Sequence, residues 1–265
     1  MMALYCLISP GGAPGVTTTA VGVSLGWPGQ VLLAECDPAG RRVLSGFLAE
    51  RLRQPAGPGL LGLAMALQND PHAAGTLADY TLPLTESGEQ RLLCGVRDPR
   101  HVRQVAPVWR ALVKAFLSGG GDVIADLGRV GGAETPVPVL EAADVVVIVL
   151  RPTLGQVDAA RPRLEVLRRV LGEGPQIGLC LVDDGAYTAA EVKRVLEIPV
   201  FAELPFSAAD ARVLSDGAAP RLTFRTSLLM RRLDRLGKRM REAASEVADQ
   251  VEQTRKGLAV PEAAP

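Results

Sequence analysis

The stretch Ser9-Pro10-Gly11-Gly12-Ala13-Pro14-Gly15-Val16-Thr17-Thr18-Thr19 decides how the rest of the chain reads. An apolar run, Met2 to Ile8, leads into it, and a helix-forming run, Val16 to Gly26, leaves it. Strand, glycine-rich turn and helix in that order make a cradle for one anion. The N–H groups of the turn and the positive end of the helix dipole converge on the same point. The glycines let the backbone come close, and Thr17 is placed to set its hydroxyl on a magnesium ion. The plain alternative is a tight strand-to-helix turn that binds nothing.

Outward from this turn the pattern alternates strand and helix. Gln30 to Asp37 is an apolar run ending in acid, and a helix is predicted from Arg41 to Arg51, followed by a loop at Gln54 to Gly59 and a short helix at Leu60 to Leu67. Leu77 to Gly88 reads as irregular and Arg91 to Val96 as a strand. Asp98-Pro99 then supplies a cap and a first helical residue. The apolar stripe Val102, Val105, Val108, Trp109, Leu112, Val113 and Phe116 continues that helix, with Trp109 in the core. Further strands are predicted at Asp122 to Gly128, Ala143 to Leu150, Ile177 to Val182 and Val200 to Leu204, with helices at Gln156 to Leu171, Thr188 to Leu196 and Ser207 to Ser215. Continuous Val/Leu/Ile runs indicate strands covered on both faces. The expected fold is α/β: a doubly wound, mostly parallel sheet with helices on both faces.

Composition sets outer bounds. The chain has 265 residues, 48% of them hydrophobic, enough for one large core. Lys+Arg and Asp+Glu are both 29, so no basic excess announces nucleic acid. Cys6, Cys36, Cys94 and Cys180 are far apart, without a C-x-x-C pair or nearby histidines, which argues against zinc and a disulfide framework. No signal peptide and no apolar run of membrane-spanning length is read, so the expected location is cytoplasmic.

The turn resembles the deviant Walker A loop of the ParA/MinD family of P-loop NTPases, G-K-G-G-x-G-K-T-T. Over Pro10 to Thr18, the residues Gly12, Gly15, Thr17 and Thr18 match. Gly11 stands where the family has its signature lysine, and Val16 where it has the phosphate lysine. Two later motifs fall in family order. Glu35-Cys36-Asp37-Pro38-Ala39-Gly40 resembles the D-x-D element followed by P-x-G, and Val123-Ile124-Ala125-Asp126 resembles the Walker B strand. The resemblance implies that Gly11, Gly12, Ala13, Pro14, Gly15, Val16, Thr17 and Thr18 cradle the phosphates of ATP or ADP. It implies that Asp37 orients the attacking water, and that Thr17, Asp37 and Asp126 serve Mg2+. Near the base it points to Asp183, where relatives carry asparagine, and to Pro205 in Leu204-Pro205-Phe206. A Rossmann dinucleotide site is disfavoured, because no G-x-G-x-x-G is present.

Loss of both lysines removes charge that would stabilise the transferred phosphate. Val16 is expected to turn an apolar branch toward the phosphate oxygens, and Arg41, Arg42, Arg129 and Arg151 are candidates to replace the missing cations. From Leu228 onward Leu229, Leu233, Leu236, Met240, Ala244, Val247 and Val251 recur every three or four residues, with seven basic residues from Arg225 to Arg241. That helix can pack on its own domain, bind an anionic membrane as MinD relatives do, or meet a partner or second copy. The expected division is 1–224 for the P-loop domain, 225–255 for the basic amphipathic helix and 256–265 for a disordered tail.

Taken together, the resemblance implies a nucleotide-binding positioning or regulatory protein with weak or absent ATP hydrolysis. It would act as a homodimer or through a protein partner in pilus or secretion machinery, in the manner of the TadZ/CpaE-like branch. It would stay in the cytoplasm, with peripheral contact to the inner face of the membrane open. A slow genuine ATPase of the chromosome- or plasmid-partitioning kind and a scaffold without nucleotide are the alternatives. Non-specific DNA binding is not indicated by the net charge.

Overall fold

The computed structural model describes residues 2–11, 15–53, 57–70, 77–172, 174–182 and 185–258, with side chains as far as 253. Eight strands form one sheet: β1 Leu4–Ser9, β2 Val31–Glu35, β3 Leu82–Pro83, β4 Gln90–Leu93, β5 Asp122–Arg129, β6 Val145–Leu150, β7 Gln176–Val182 and β8 Val200–Leu204. Their order is β3-β4-β2-β5-β1-β6-β7-β8. Every neighbouring pair is parallel except β3 with β4. The helices are α1 Val16–Leu25, α2 Gly59–Asn69, α3 Val102–Val105, α4 Trp109–Leu117, α5 Val137–Glu141, α6 Leu154–Leu171, α7 Ala189–Leu196, α8 Ala208–Asp216 and α9 Leu228–Leu258.

The sheet divides the interior into two apolar layers, as its unbroken aliphatic strands require. Strand β1 shows how one sequence serves both. Leu4, Cys6 and Ile8 enter the layer shared with α2, α4 and α6, whereas Tyr5 and Leu7 enter the layer shared with α1, α8 and α9. The doubly wound architecture read from the sequence is therefore the one observed. Because β1 lies between β5 and β6, the chain leaves it toward one edge of the sheet and later returns to build the other. That reversal opens a crevice at the carboxyl ends of β1 and β6.

Helix α9 lies in the layer on the α1 side, with Leu229, Met230, Leu233, Leu236, Met240, Ala243 and Ala244 all buried. Arg241 stacks over Trp27 and Arg239 over Phe201, at 4.8 Å and 5.0 Å from the ring centroids. The apolar face that a bilayer or a partner would use is thus covered by the protein itself as far as Ala244.

Four local expectations are corrected. Residues 41–51 form turns with a 3₁₀ segment at Ala49–Arg51 rather than a helix. The N–H groups of Arg42 and Val43 are held by the Glu35 carboxylate, which fixes this segment in a non-helical path. The stripe from Pro99 to Phe116 is broken into 3₁₀ and α pieces at Ala106–Val108, where Pro107 has no N–H to give. The stretch from Leu77 to Gly88 contains a 3₁₀ turn and the antiparallel edge strand β3. Helix α5 follows β5, where no helix was predicted. Cys6, Cys36, Cys94 and Cys180 are buried free thiols.

Candidate functional site

Strand β1 delivers the glycine turn into the crevice. The Ser9 hydroxyl folds back on the turn, donating to the Gly11 carbonyl at 3.0 Å and accepting from the Gly11 N–H at 3.2 Å. Gly12, Ala13 and Pro14 lie outside the described residues. Gly15 then takes a left-handed conformation, φ 95°, which a side chain would strain. Its carbonyl accepts the first helical bond, from Thr19 N–H at 2.8 Å. Among the described residues no side chain caps α1, and its first turn carries no acid. The first-turn amides, which have no intrahelical partner, are left for another acceptor.

Beneath this helix start the Thr17 hydroxyl donates to Asp126 Oδ2 at 2.6 Å. The Gly128 N–H donates to the other oxygen, Oδ1, at 3.0 Å. Strand pairing sets this geometry, since Leu7 and Glu35 flank Asp126 in the β1 and β2 registers. Between Asp126 and Arg129 strand β5 carries one more residue than β1 does between Leu7 and Ser9. This bulge, with Gly128 at φ 58°, re-aims the strand end. Asp126 is 1% exposed. Burial raises its pKa to about 7; the bonds from Thr17 and Gly128 pull the other way, while the negative charges of Glu35 and Asp37 add to the rise.

Asp37 lies against Gly128: a β-carbon on Gly128 would stand 2.1 Å from the Asp37 Oδ2. Gly128 thus makes room for this carboxylate. Burial raises the Asp37 pKa, opposed by the bond from Ala39 N–H and by the charges of Arg42 and Arg129.

Glu35 has a different task. It is 2% exposed and accepts three backbone N–H groups: Arg42 at 2.6 Å and Val43 at 2.8 Å on Oε1, and Gly95 at 3.2 Å on Oε2. Burial raises its pKa against those bonds. The sequence pattern placed an acid here but gave no sign that it holds the loop after β2.

Two cavities flank the start of α1. One, of about 580 Å³, is lined by Thr17, Thr18, Asp37, Arg42, Gly128 and Arg129, among others. The other, of about 140 Å³, is lined by Arg151, Val182, Pro205 and Phe206, among others. Gly15 and Thr18 line both. The structure thus brings Gly15, Val16, Thr17, Thr18, Asp37 and Pro205 to one crevice, with Asp126 buried under it. Asp183 lies outside the described residues, although its neighbour Val182 lines the smaller cavity. Gly11 lines neither. Val16 lines the larger cavity and is 6% exposed, with its side chain in the apolar layer on the α1 side of the sheet.

Among the described residues no cluster of three or more His, Cys, Asp or Glu could hold a metal by itself. Mg2+ does not need one. It takes one or two protein oxygens and fills its remaining sites with water and phosphate. The Thr17 hydroxyl and the Asp126 carboxylate, already 2.6 Å apart, supply that number of hard oxygen donors. The residues present therefore fit a phosphate-bound Mg2+.

No family model and no curated protein matches the chain. Solved structures do. The septum site-determining protein MinD of Pyrococcus horikoshii, complexed with Mg-ADP, has 20% sequence identity and a TM-score of 0.70, over 90% of this chain and 95% of that one. A ParA family ATPase from Chlorobium tepidum has 16% identity and a TM-score of 0.70, over 89% and 98%. A chain of the MinC:MinD cell division protein complex of Aquifex aeolicus has 14% identity and a TM-score of 0.71, over 91% and 96%. Across about nine-tenths of its length, this chain has the fold of the MinD and ParA P-loop ATPases.

Proposed function

We propose that the chain is a nucleotide-binding regulatory protein of MinD/ParA type, binding ATP or ADP with Mg2+ at the crevice beside α1 and hydrolysing slowly or not at all. The observation that carries this reading is the Thr17–Asp126 pair under the uncapped start of α1, with Asp37 in the same cavity. The first-turn amides and the glycine turn, Gly11 through Thr18, would hold the phosphates. Thr17 and Asp126 would hold the ion, Asp37 would orient water, and Pro205 and Asp183 would border the base. The Mg-ADP complex of the P. horikoshii MinD supports the ligand class. Calorimetry with Mg-ATP, Mg-ADP and Mg-GTP tests the reading. One site per chain with a dissociation constant below about 1 mM supports it, and no heat with any of the three removes it.

The consequence of binding would be dimerisation or recruitment of a protein partner; the Aquifex MinD complex with MinC supports that mode. A pilus, secretion or cell-pole assembly is the proposed setting. Membrane attachment through α9 is not favoured, because its apolar face is already packed. Among the described residues no helix is long and apolar enough to cross a membrane. A slow ATPase of the partitioning kind is the second reading, favoured by the position of Asp37 at the cavity wall. Phosphate release that falls to background in Asp37→Ala, with Mg-ATP affinity retained, would establish it.

A further inference from the structure

We propose that Arg42 and Arg129 supply the positive charge for the polyphosphate, in place of any lysine. This rests on the nucleotide reading and extends it to the chemistry of the anion site. The chain has four lysines among its 29 basic residues: Lys114, Lys193, Lys238 and Lys256. The first three lie on α4, α7 and α9 and line neither cavity, and Lys256 lies past the last described side chain. Among the described residues, the cations lining the larger cavity are arginines.

Arg42 and Arg129 are both exposed, and both line that cavity. Among the described residues neither guanidinium makes a hydrogen bond or an ion pair; the charge they act on is Asp37, across the same cavity. Their backbones, by contrast, are fixed. Arg42 N–H is held by Glu35 at 2.6 Å, and Arg129 pairs with Ser9 where the glycine turn begins. Two fixed stems carrying two planar forks with no hydrogen-bond partner among the described residues thus line the cavity that Gly15, Val16, Thr17 and Thr18 also line. A guanidinium fork meets phosphate oxygens through two parallel N–H bonds and keeps its charge at any working pH. Arg41 is different. Its neighbour in sequence faces the cavity, but Arg41 acts on Glu35 and Cys94 behind it.

The test is calorimetry with Mg-ADP, and with inorganic pyrophosphate as a base-free probe. The proteins are the unaltered chain, Arg42→Gln, Arg129→Gln, the double variant and Arg41→Gln. Melting curves establish that each variant folds. The expected loss is about tenfold for each single change and about a hundredfold for the double, from charge-assisted bonds of ordinary strength. The two probes should fall together and Arg41→Gln should stay within about twofold. A double variant that binds within twofold of the unaltered chain overturns the proposal, as does an equal loss in Arg41→Gln. If the unaltered chain takes pyrophosphate but no nucleotide, the nucleotide reading fails while the arginine site stands. If it takes neither, both fall.

Discussion

Asp126 is buried at the floor of the crevice with a pKa near 7, and this has a consequence for the ligand-free protein. A carboxyl that binds its proton more tightly folded than unfolded contributes stability at low pH. That contribution is lost as pH rises from the unfolded value, near 4, through the folded one. Glu35 and Asp37 shift in the same direction. Without nucleotide or divalent ion, the melting temperature should therefore fall as pH rises from about 4 to about 7. Asp126→Asn should flatten much of that slope; a slope unchanged by it would show that the carboxyl titrates normally. At the same scale Gly128→Ala should displace Asp37, because the added carbon would meet its carboxylate, and because φ 58° disfavours a side chain. A loss of about 1–3 kcal/mol in denaturant unfolding is expected. Much of this residue chemistry was legible in sequence: glycine, threonine and aspartate at strand ends are local signals. The work of Glu35 was not legible, since Gly95 lies 60 positions away and only the fold brings it near.

Among the elements, the loop after β2 and helix α9 shape the cavity wall and the α1 layer. Val43, Leu44, Phe47 and Leu48 have helical spacing, yet residues 41–51 form turns and a 3₁₀ segment. Instead Glu35 takes the loop's N–H groups, and Gly46 presses against the end of α8, where an added β-carbon would stand 2.1 Å from the Ser215 carbonyl oxygen. Backbone cannot yield as a side chain would. Gly46→Ala should cost about 2–3 kcal/mol and loosen the cavity wall that this loop forms. Wild-type stability in that variant would show the contact to be slack. In α9 the periodicity gave the helix, but not the surface it covers. Leu236 and Met240 are fully buried against the α1 layer. Leu236→Ala should cost about 2–5 kcal/mol in chemical unfolding. Ending the chain after Thr226 should abolish cooperative unfolding, not merely a binding function. Retained cooperativity would mark the helix as an appendage.

For the whole molecule, the sequence conveyed the architecture because unbroken aliphatic runs admit few arrangements other than a covered parallel sheet. The edge strand β3, two residues long, was too short to leave a pattern. Zero net charge and a scarcity of lysine shape the functional account as much as the fold does. If nucleotide works through association, light scattering at micromolar protein should show a mass increase with Mg-ATP and none with Mg-ADP. Equal mass in both would remove the dimerisation part of the reading while leaving binding intact. On the proposed reading, a turn without lysine still holds a polyphosphate. A crystal structure grown with excess Mg-ATP tests it most directly. Phosphate oxygens are expected on the first-turn amides of α1, the ion beside Thr17 and Asp126, and a guanidinium of Arg42 or Arg129 on the phosphates. A crevice that stays empty at millimolar Mg-ATP, with Thr17 still bonded to Asp126, would contradict it.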